Sequence, residues 1–408
     1  MREGDIENMN KKLERKISRV VCKRYSSIAR RKTDKRDEHN ILVMSCQAIG
    51  DTITRIPFLR ELRKNYQRSY ITLVCTARTY NLIELCPYVD EIVVYNPELK
   101  KKLISKRFLD GMYKSYKFGQ ELTKRRSYEM AIILSAVNHE EYEAWIPFFA
   151  GVKRIIGYTE KVDMLRHEVI DGTYDMYLTD VLQPNHDNHE VENNLEILRY
   201  LNCRIEDDKY EMWISDNDRD VVNRLLNNID NNKIKIAINL SSSTRTKEWP
   251  IEKYIDVCKR LNKKYDIEYI LVDAGERARK YGEIFCNELH NVCNLIDKTS
   301  IRETWAVMER ADLYLGNDTG TVHLAATAGL SGVAIYMTSR NITDWSVRST
   351  VRFSPWKADI KAISPQNPLP GCEHGCYVGK AHCIAQVTSD EVYDAMVEKC
   401  EQIQTAAK

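Results

Sequence analysis

The chain has 408 residues, 43% of them hydrophobic and 29% charged, with a formal charge of only +2 at pH 7. That length exceeds one ordinary core and predicts two domains, and the balance excludes disordered and fibrous classes. Near-neutral charge argues against nucleic acid as a partner, and no run of about 18 apolar residues is present to span a bilayer.

The first residues, MREGDIENMNKKLERK, lack an apolar h-region, so no secretory signal is expected. The twelve cysteines mostly sit inside apolar segments (Cys46, Cys75, Cys203, Cys258) and read as small buried hydrophobes of a reducing compartment. The expected location is the cytoplasm. Residues 1–39 hold thirteen Lys/Arg against seven Asp/Glu. Among them Ile17, Val20, Val21, Tyr25 and Ile28 recur at helical spacing between Arg19, Lys23, Arg24, Arg30 and Arg31. This predicts a basic amphipathic helix within an extension over residues 1–40. Such a helix either lies peripherally on the inner face of an anionic membrane or docks its apolar stripe on protein.

From residue 41 the chain alternates between strand and helix. ILVMSC (41–46), SYITLVC (69–75), EIVVYN (91–96), YEMAIIL (128–134) and KRIIGY (153–158) read as strands, with a helix from about Ile53 to Asn65 after the first. A helix over 189–202 closes this unit, its stripe at Val191, Leu195, Leu198 and Leu201, with HDNHE (186–190) as a polar loop capping it. The pattern restarts with KIKIAINL (233–240), IEYILVD (267–273), VCNLID (292–297), ADLYLGN (311–317) and GVAIYM (332–337). The expectation is α/β: two Rossmann-like domains, 41–202 and 233–354, joined by a linker at 203–232 and facing a central cleft. Residues 355–408 are expected to be an irregular, Cys-containing segment through 388 and then a helix over 389–403.

Five short stretches carry chemistry. In AIGDTITRIP (48–57), Gly50 permits a tight turn after the first strand, and Asp51 either caps the helix or faces the cleft. Residues 97–126 carry ten Lys/Arg against Glu98, Asp110 and Glu121. They form a solvated face or a grip for an anionic acceptor, for which Lys101, Lys106, Arg107 and Arg125 are candidates. In NLSSSTRTKEWP (239–250), hydroxyls, exposed amides and Lys247 precede a helix beginning near Pro250, a composition suited to a diphosphate. In VDAGERA (272–278), Glu276 is a routine first-turn residue or a partner for a ribose. In LGNDTGTVHLAATAG (315–329), a strand runs into a polar tetrad and a helix, which is an N-cap or an anion site.

The order of AIGDTITRIPFLREL, PYVDEIVVYN, SSSTRTKEWPIEKY and GNDTGTVHLAATAG over residues 41–400 resembles glycosyltransferase family 9, the ADP-heptose:lipopolysaccharide heptosyltransferases. The resemblance implies a GT-B fold and inverting, metal-independent transfer from a nucleotide sugar, ADP-heptose, to a lipopolysaccharide-core or similar glycan. By motif position Asp51 is the general base, while Ser242, Ser243 and Lys247 bind the diphosphate. Asp318, Thr319, Gly320 and His323 then form the facing turn, with Asp318 on the sugar hydroxyls, and Glu276 matches a ribose-binding glutamate. The chain departs from the pattern at Gln47 and Ala48, at Ser242-Ser243 where threonines are expected, and throughout the first 40 residues. GCEHGCYVGKAHCI (371–384) supplies Cys372, Cys376 and Cys383, which with Cys400 are free thiols or ligands of a structural zinc or iron. Other readings are transfer to a protein side chain, a nucleotide-sugar epimerase of the same architecture, and a non-catalytic scaffold.

Overall fold

The computed structural model describes residues 13–25, 40–96, 104–134, 141–160, 173–185, 187–342, 350–373 and 379–406, with side chains in the long helix after the third strand from Phe108 onward. Two parallel sheets organise it. In the first half, β1 (Asn40–Ser45), β2 (Tyr70–Cys75), β3 (Glu91–Val94), β4 (Met130–Ile133), β5 (Arg154–Tyr158) and β6 (Asp180–Leu182) lie in the order β3-β2-β1-β4-β5-β6. In the second, β7 (Ile234–Asn239), β8 (Ile267–Leu271), β9 (Val292–Asn294), β10 (Leu313–Asn317), β11 (Ser331–Ile335) and β12 (Ile360–Ile363) repeat that winding as β9-β8-β7-β10-β11-β12. Helices cover both faces, so a central strand must be apolar throughout. All six residues of β1 are buried, with Ile41 paired to Ile71 on one side and Met130 on the other.

The first half carries α1 (13–25), α2 (Ile49–Thr54), α3 (Ile56–Asn65), α4 (Ala77–Ile83), α5 (Ile104–Arg125), α6 (Glu141–Phe149) and α7 (Glu190–Tyr200). The second carries α8 (Asp216–Leu225), α9 (Ile251–Leu261), α10 (Glu276–Glu288), α11 (Ile301–Met308), α12 (Gly320–Thr327), α13 (Thr350–Phe353) and α14 (Ser389–Ala406).

Three features differ from the sequence reading, and a fourth decides between alternatives it left open. The helix after β1 begins at Ile49 rather than near Ile53, and it restarts at Ile56 because Pro57 has no N–H to offer Ile53. Two edge strands went unread: β6 has three residues, and β12 has four between Pro355 and Pro365, too short for a clear alternation. Within 203–232 lies α8, opened by a capping box at Ser215 and Asp218, with Val222 and Leu226 packed in one cluster with Val307 and Met308. Finally, α1 docks on its own half. Ile17, Val21, Cys22 and Tyr25 pack against the cluster containing Trp145, Phe149 and Tyr177. The Tyr25 hydroxyl donates to the Phe149 carbonyl at 2.6 Å. Of the two readings of this helix, the docked one holds for these four residues, while Val20 is 63% exposed. Ile28 lies outside the described residues.

The halves close on each other through α2 and α12. A Cβ at Gly50 would lie 2.9 Å from Cδ2 of His323, and one at Gly320 would lie 2.9 Å from Cβ of Ile49. Glycine is what lets these two helices approach. Trp305 and Leu324 of the second half extend the apolar cluster of the first, and the Arg302 side chain reaches Glu84 at 2.5 Å and Asp218 at 3.0 Å.

Candidate active site

Each sheet reverses its strand order beside its first strand, between β1 and β4 and between β7 and β10. Such switch points open a crevice at the strands' carboxyl ends. Asp51 stands in the first turn of α2, directly after β1. Ser242, Ser243 and Lys247 occupy the loop after β7, and Asp318 to His323 lie between β10 and α12. Contact of α2 with α12 brings the two sets together.

Lys247 and Asp318 are each other's partners. The lysine Nζ donates to Oδ2 of Asp318 at 2.6 Å and to its backbone carbonyl at 3.2 Å. Burial raises the Asp51 carboxyl above its usual range; Arg55 and Lys247 oppose the rise, and Glu190 adds to it. Burial lowers the imidazole of His323 to about 4, so at neutral pH it is an uncharged group facing Gly50.

The loop after β7 is held from behind. Asp273, just past β8, accepts from the N–H of Leu240 at 3.1 Å, the N–H of Ser241 at 2.7 Å and the Ser241 hydroxyl at 2.9 Å. Buried Glu248 accepts from the Ser242 N–H at 3.1 Å and from Nε of Arg277 at 2.8 Å. Arg277 also donates to the Ser242 carbonyl at 2.5 Å. Oδ1 of Asn317 accepts from the Trp249 N–H at 2.9 Å, which joins this loop to β10.

Three buried polar atoms in this well-braced region have no partner: Oγ of Ser242, Nδ2 of Asn317 and Nδ1 of His323. Each such group costs about 1–3 kcal/mol, a cost that a bound polar ligand removes. Nor does any side chain cap α12. Its N-cap residue, Thr319, instead donates to Oδ1 of Asn239 at 3.2 Å. The capping explanation of the polar tetrad therefore fails, and the first-turn N–H groups keep the partial positive charge of a helix start.

Other residues singled out from sequence are more dispersed. Ser243 is exposed, as is Glu276, which opens α10 and pairs with Lys280 at 2.7 Å. Arg125 pairs with Glu91 at 2.6 Å. Glu91 begins β3, so this pair sits at the sheet edge opposite the cleft, and Arg125 cannot grip an acceptor there. Lys101 lies outside the described residues, as do the side chains of Lys106 and Arg107. Cys372, His382 and Cys383 gather with their ligand atoms within 4.8 Å of one another. Cys376 lies outside the described residues. Cys400 is not in this group: it lies on the buried side of α14, where burial pushes its thiol up to about 12.

Sequence reasoning missed three contributors. Arg277 and Glu248 lay inside quoted stretches but were overshadowed by Glu276 and Lys247. The third is a buried pair between Arg352 of α13 and Glu190, the first residue of α7, at 2.5 Å. It joins the two halves across 162 residues, which no local pattern reveals. His189 does cap α7, its Nδ1 accepting from the Val191 N–H at 3.1 Å, while its Nε2 meets the Ser354 carbonyl at 2.7 Å.

The model of glycosyltransferase family 9 (heptosyltransferase) matches residues 115–382, well over half of the chain and including both loops of the candidate site. The protein belongs to glycosyltransferase family 9. Among curated relatives of this glycosyltransferase, the lipopolysaccharide core heptosyltransferase OpsX of Haemophilus influenzae is 20% identical over 302 residues, covering 73% of this chain and 78% of that protein. A family 9 glycosyl transferase from Veillonella parvula superposes with a TM-score of 0.71 at 16% identity, over 91% of this chain and all of that one. The ADP-heptose lipopolysaccharide heptosyltransferase II of E. coli superposes at 0.66 and 18% identity, over 90% and 99%. The structural matches establish the fold, two Rossmann-like halves in the GT-B arrangement. Among the described residues, no helix is long and apolar enough to cross a membrane.

Proposed function

We propose that this glycosyltransferase moves a sugar, heptose from ADP-heptose, onto a lipopolysaccharide-core or similar envelope glycan, with inversion at the anomeric carbon. The observation that carries the reading is the convergence on one crevice of a carboxylate with a raised pKa, a lysine, an uncapped helix start and three unpartnered buried polar atoms. Asp51 takes the proton of the acceptor hydroxyl as its oxygen bonds to the anomeric carbon. The bond from that carbon to the diphosphate breaks, and the electron pair leaves with the nucleotide. Lys247, Ser242, Thr319 and the N–H groups of Gly320 and the α12 first turn stabilise the charge on the departing diphosphate. In the resting protein Asp318 neutralises Lys247; with donor bound it turns to the sugar hydroxyls. His323, uncharged, offers a hydrogen bond to sugar or phosphate without adding charge. Glu276 and Ser243, both exposed at the rim, are assigned to the ribose and the outer phosphate. The acceptor's anionic groups are assigned to Lys101, Lys106 and Arg107.

The names of OpsX and heptosyltransferase II support this donor and acceptor class. The test is the melting-temperature shift with ADP, UDP, GDP and CMP, for wild type and Lys247→Ala. Ligand at about a hundred times its Kd adds about 2.7 kcal/mol. A shift with ADP, lost in the variant, followed by ADP release from ADP-heptose only when a core oligosaccharide is present, is the expected result. A shift confined to UDP or GDP refutes the donor, and release driven by a protein acceptor refutes the glycan.

We also assign Cys372, His382 and Cys383 to a structural zinc or iron, with Cys376 as a fourth ligand. Two thiols and an imidazole within 4.8 Å suit either ion. When bound, the metal would cross-link the segment whose Val387 carbonyl accepts from Nε1 of Trp249 at 3.0 Å and from Nζ of Lys253 at 2.7 Å. Elemental analysis of purified protein, with Cys372→Ser as the control, decides the matter.

A further inference from the structure

One face of α5 is spent on packing: Met112, Ser115, Gly119 and Leu122 are buried, and a Cβ at Gly119 would lie 2.9 Å from the Ile146 carbonyl of α6. The outward face of a surface helix is ordinarily polar. Here it carries Leu109, Tyr113 and Tyr116, spaced four and three residues apart on one stripe and 49%, 55% and 40% exposed. Exposed Lys117 and Lys124 border the stripe, with the Lys117 ammonium 4.9 Å from the Tyr113 ring. At its end Tyr116 meets Tyr25 of α1 edge-on at 6.3 Å, and α1 turns Lys16, Arg19 and Lys23 to solvent. Among the described side chains of these two helices, Glu121 is the one exposed carboxylate.

We propose that this face of α5, with the outer face of α1, docks on the surface of an anionic bilayer. Aromatic rings with polar tips, an aliphatic anchor and a surround of lysines are the composition that settles at a headgroup interface. Charge complementarity selects the occupant. A second copy of this chain seated symmetrically on the patch would set lysine against lysine, whereas anionic headgroups attract each of them. The mode differs from the one the sequence offered. Ile17, Val21, Cys22 and Tyr25 are spent on fixing α1 to its own half, so α1 contributes charge and the 63% exposed Val20, while α5 contributes most of the inserted side chains. Because α5 follows β3, its first turns lie at the cleft end of the sheet, and docking would bring the crevice mouth to the bilayer surface. The proposal does not depend on which sugar is transferred.

The test is co-sedimentation of the full chain with vesicles of phosphatidylethanolamine and phosphatidylglycerol, and with vesicles of phosphatidylcholine alone. Binding is expected only to the first, and it should weaken as salt rises. Leu109→Ser/Tyr113→Ser and, separately, Lys117→Glu/Lys124→Glu should each cut it by about tenfold or more. In both, the melting shift given by nucleotide should stay as in wild type, because none of these residues belongs to the site. No binding by wild type, equal binding to both vesicle types, or undiminished binding by both variants would overturn the proposal. So would sedimentation showing a wild-type dimer that the serine variant abolishes, since the patch would then be an interface between copies.

Discussion

The two halves share one strand winding yet differ sharply at the edges they turn to the cleft. The first half offers a helix, α2, whose Ile49 and Gly50 press against α12, with Asp51 as its single charge at the contact. The second half offers two polar loops, braced from beneath by Asp273, Glu248, Arg277 and Asn317. Identical topology thus gives one half a buried carboxylate beside Arg55, Lys247 and Glu190, and the other a pair of braced loops with unpartnered polar atoms. The difference suits the roles proposed for the two halves. A carboxylate takes a proton best when burial raises its pKa, while a leaving anion needs donors that are already in place.

The sharpest way to break this contrast is Asp51→Asn, which should lower kcat by about 10²–10⁴-fold while leaving the nucleotide-induced melting shift intact. Loss of the shift along with kcat would mean that Asp51 serves the donor. Arg352→Met should be the most damaging change to stability. It leaves Glu190 buried without its partner, at a cost of about 3–5 kcal/mol in a denaturant titration. Restoring much of that loss with Arg352→Met/Glu190→Leu would separate the missing charge from missing volume.

The pH dependence sharpens the comparison. His323 is depressed in the folded state, so between pH 6.5 and about 4 the unfolded chain binds a proton that the native protein does not. Its contribution is complete above pH 6.5 and is lost on acidification, with a slope approaching about 1.4 kcal/mol per pH unit. His323→Gln should flatten that part of the stability profile. Asp51 is shifted in the opposite direction: its raised carboxyl gives kcat/KM an acid limb above the ordinary aspartate range, rising as pH increases. Arg55→Met, which removes a charge opposing that rise, should move the limb to higher pH. Gly320→Ala is the mildest test. A methyl group 2.9 Å from Ile49 Cβ forces α2 and α12 apart, and about 1–3 kcal/mol of strain should appear as a lowered melting temperature together with a raised KM.

Much of this was legible in the chain. Short continuous apolar runs such as ILVMSC, alternating with helical stretches, read as central parallel strands, and the restart at residue 233 follows from the same logic. Asp51, Lys247 and Asp318 were readable because each follows a strand closely, where βα topology leaves no choice about which sheet edge a side chain reaches. The edge strands β6 and β12 were not, since three or four residues carry no period. The destination of the N-terminal helix was also undecided, because an amphipathic stripe states that it will be buried without saying in what.

Local pattern, then, determines the strands, their order along the chain and the loops that carry chemistry, because those depend on neighbours a few residues away. Partnership across the chain is different. That Lys247 pairs with Asp318, that Glu190 meets Arg352, that Cys400 belongs to the core while Cys372 and Cys383 share His382, and that Arg125 faces away from the cleft are all matters of folding. Contacts between residues tens to hundreds of positions apart are chosen by how whole helices and sheets pack, and no short stretch of sequence holds that information.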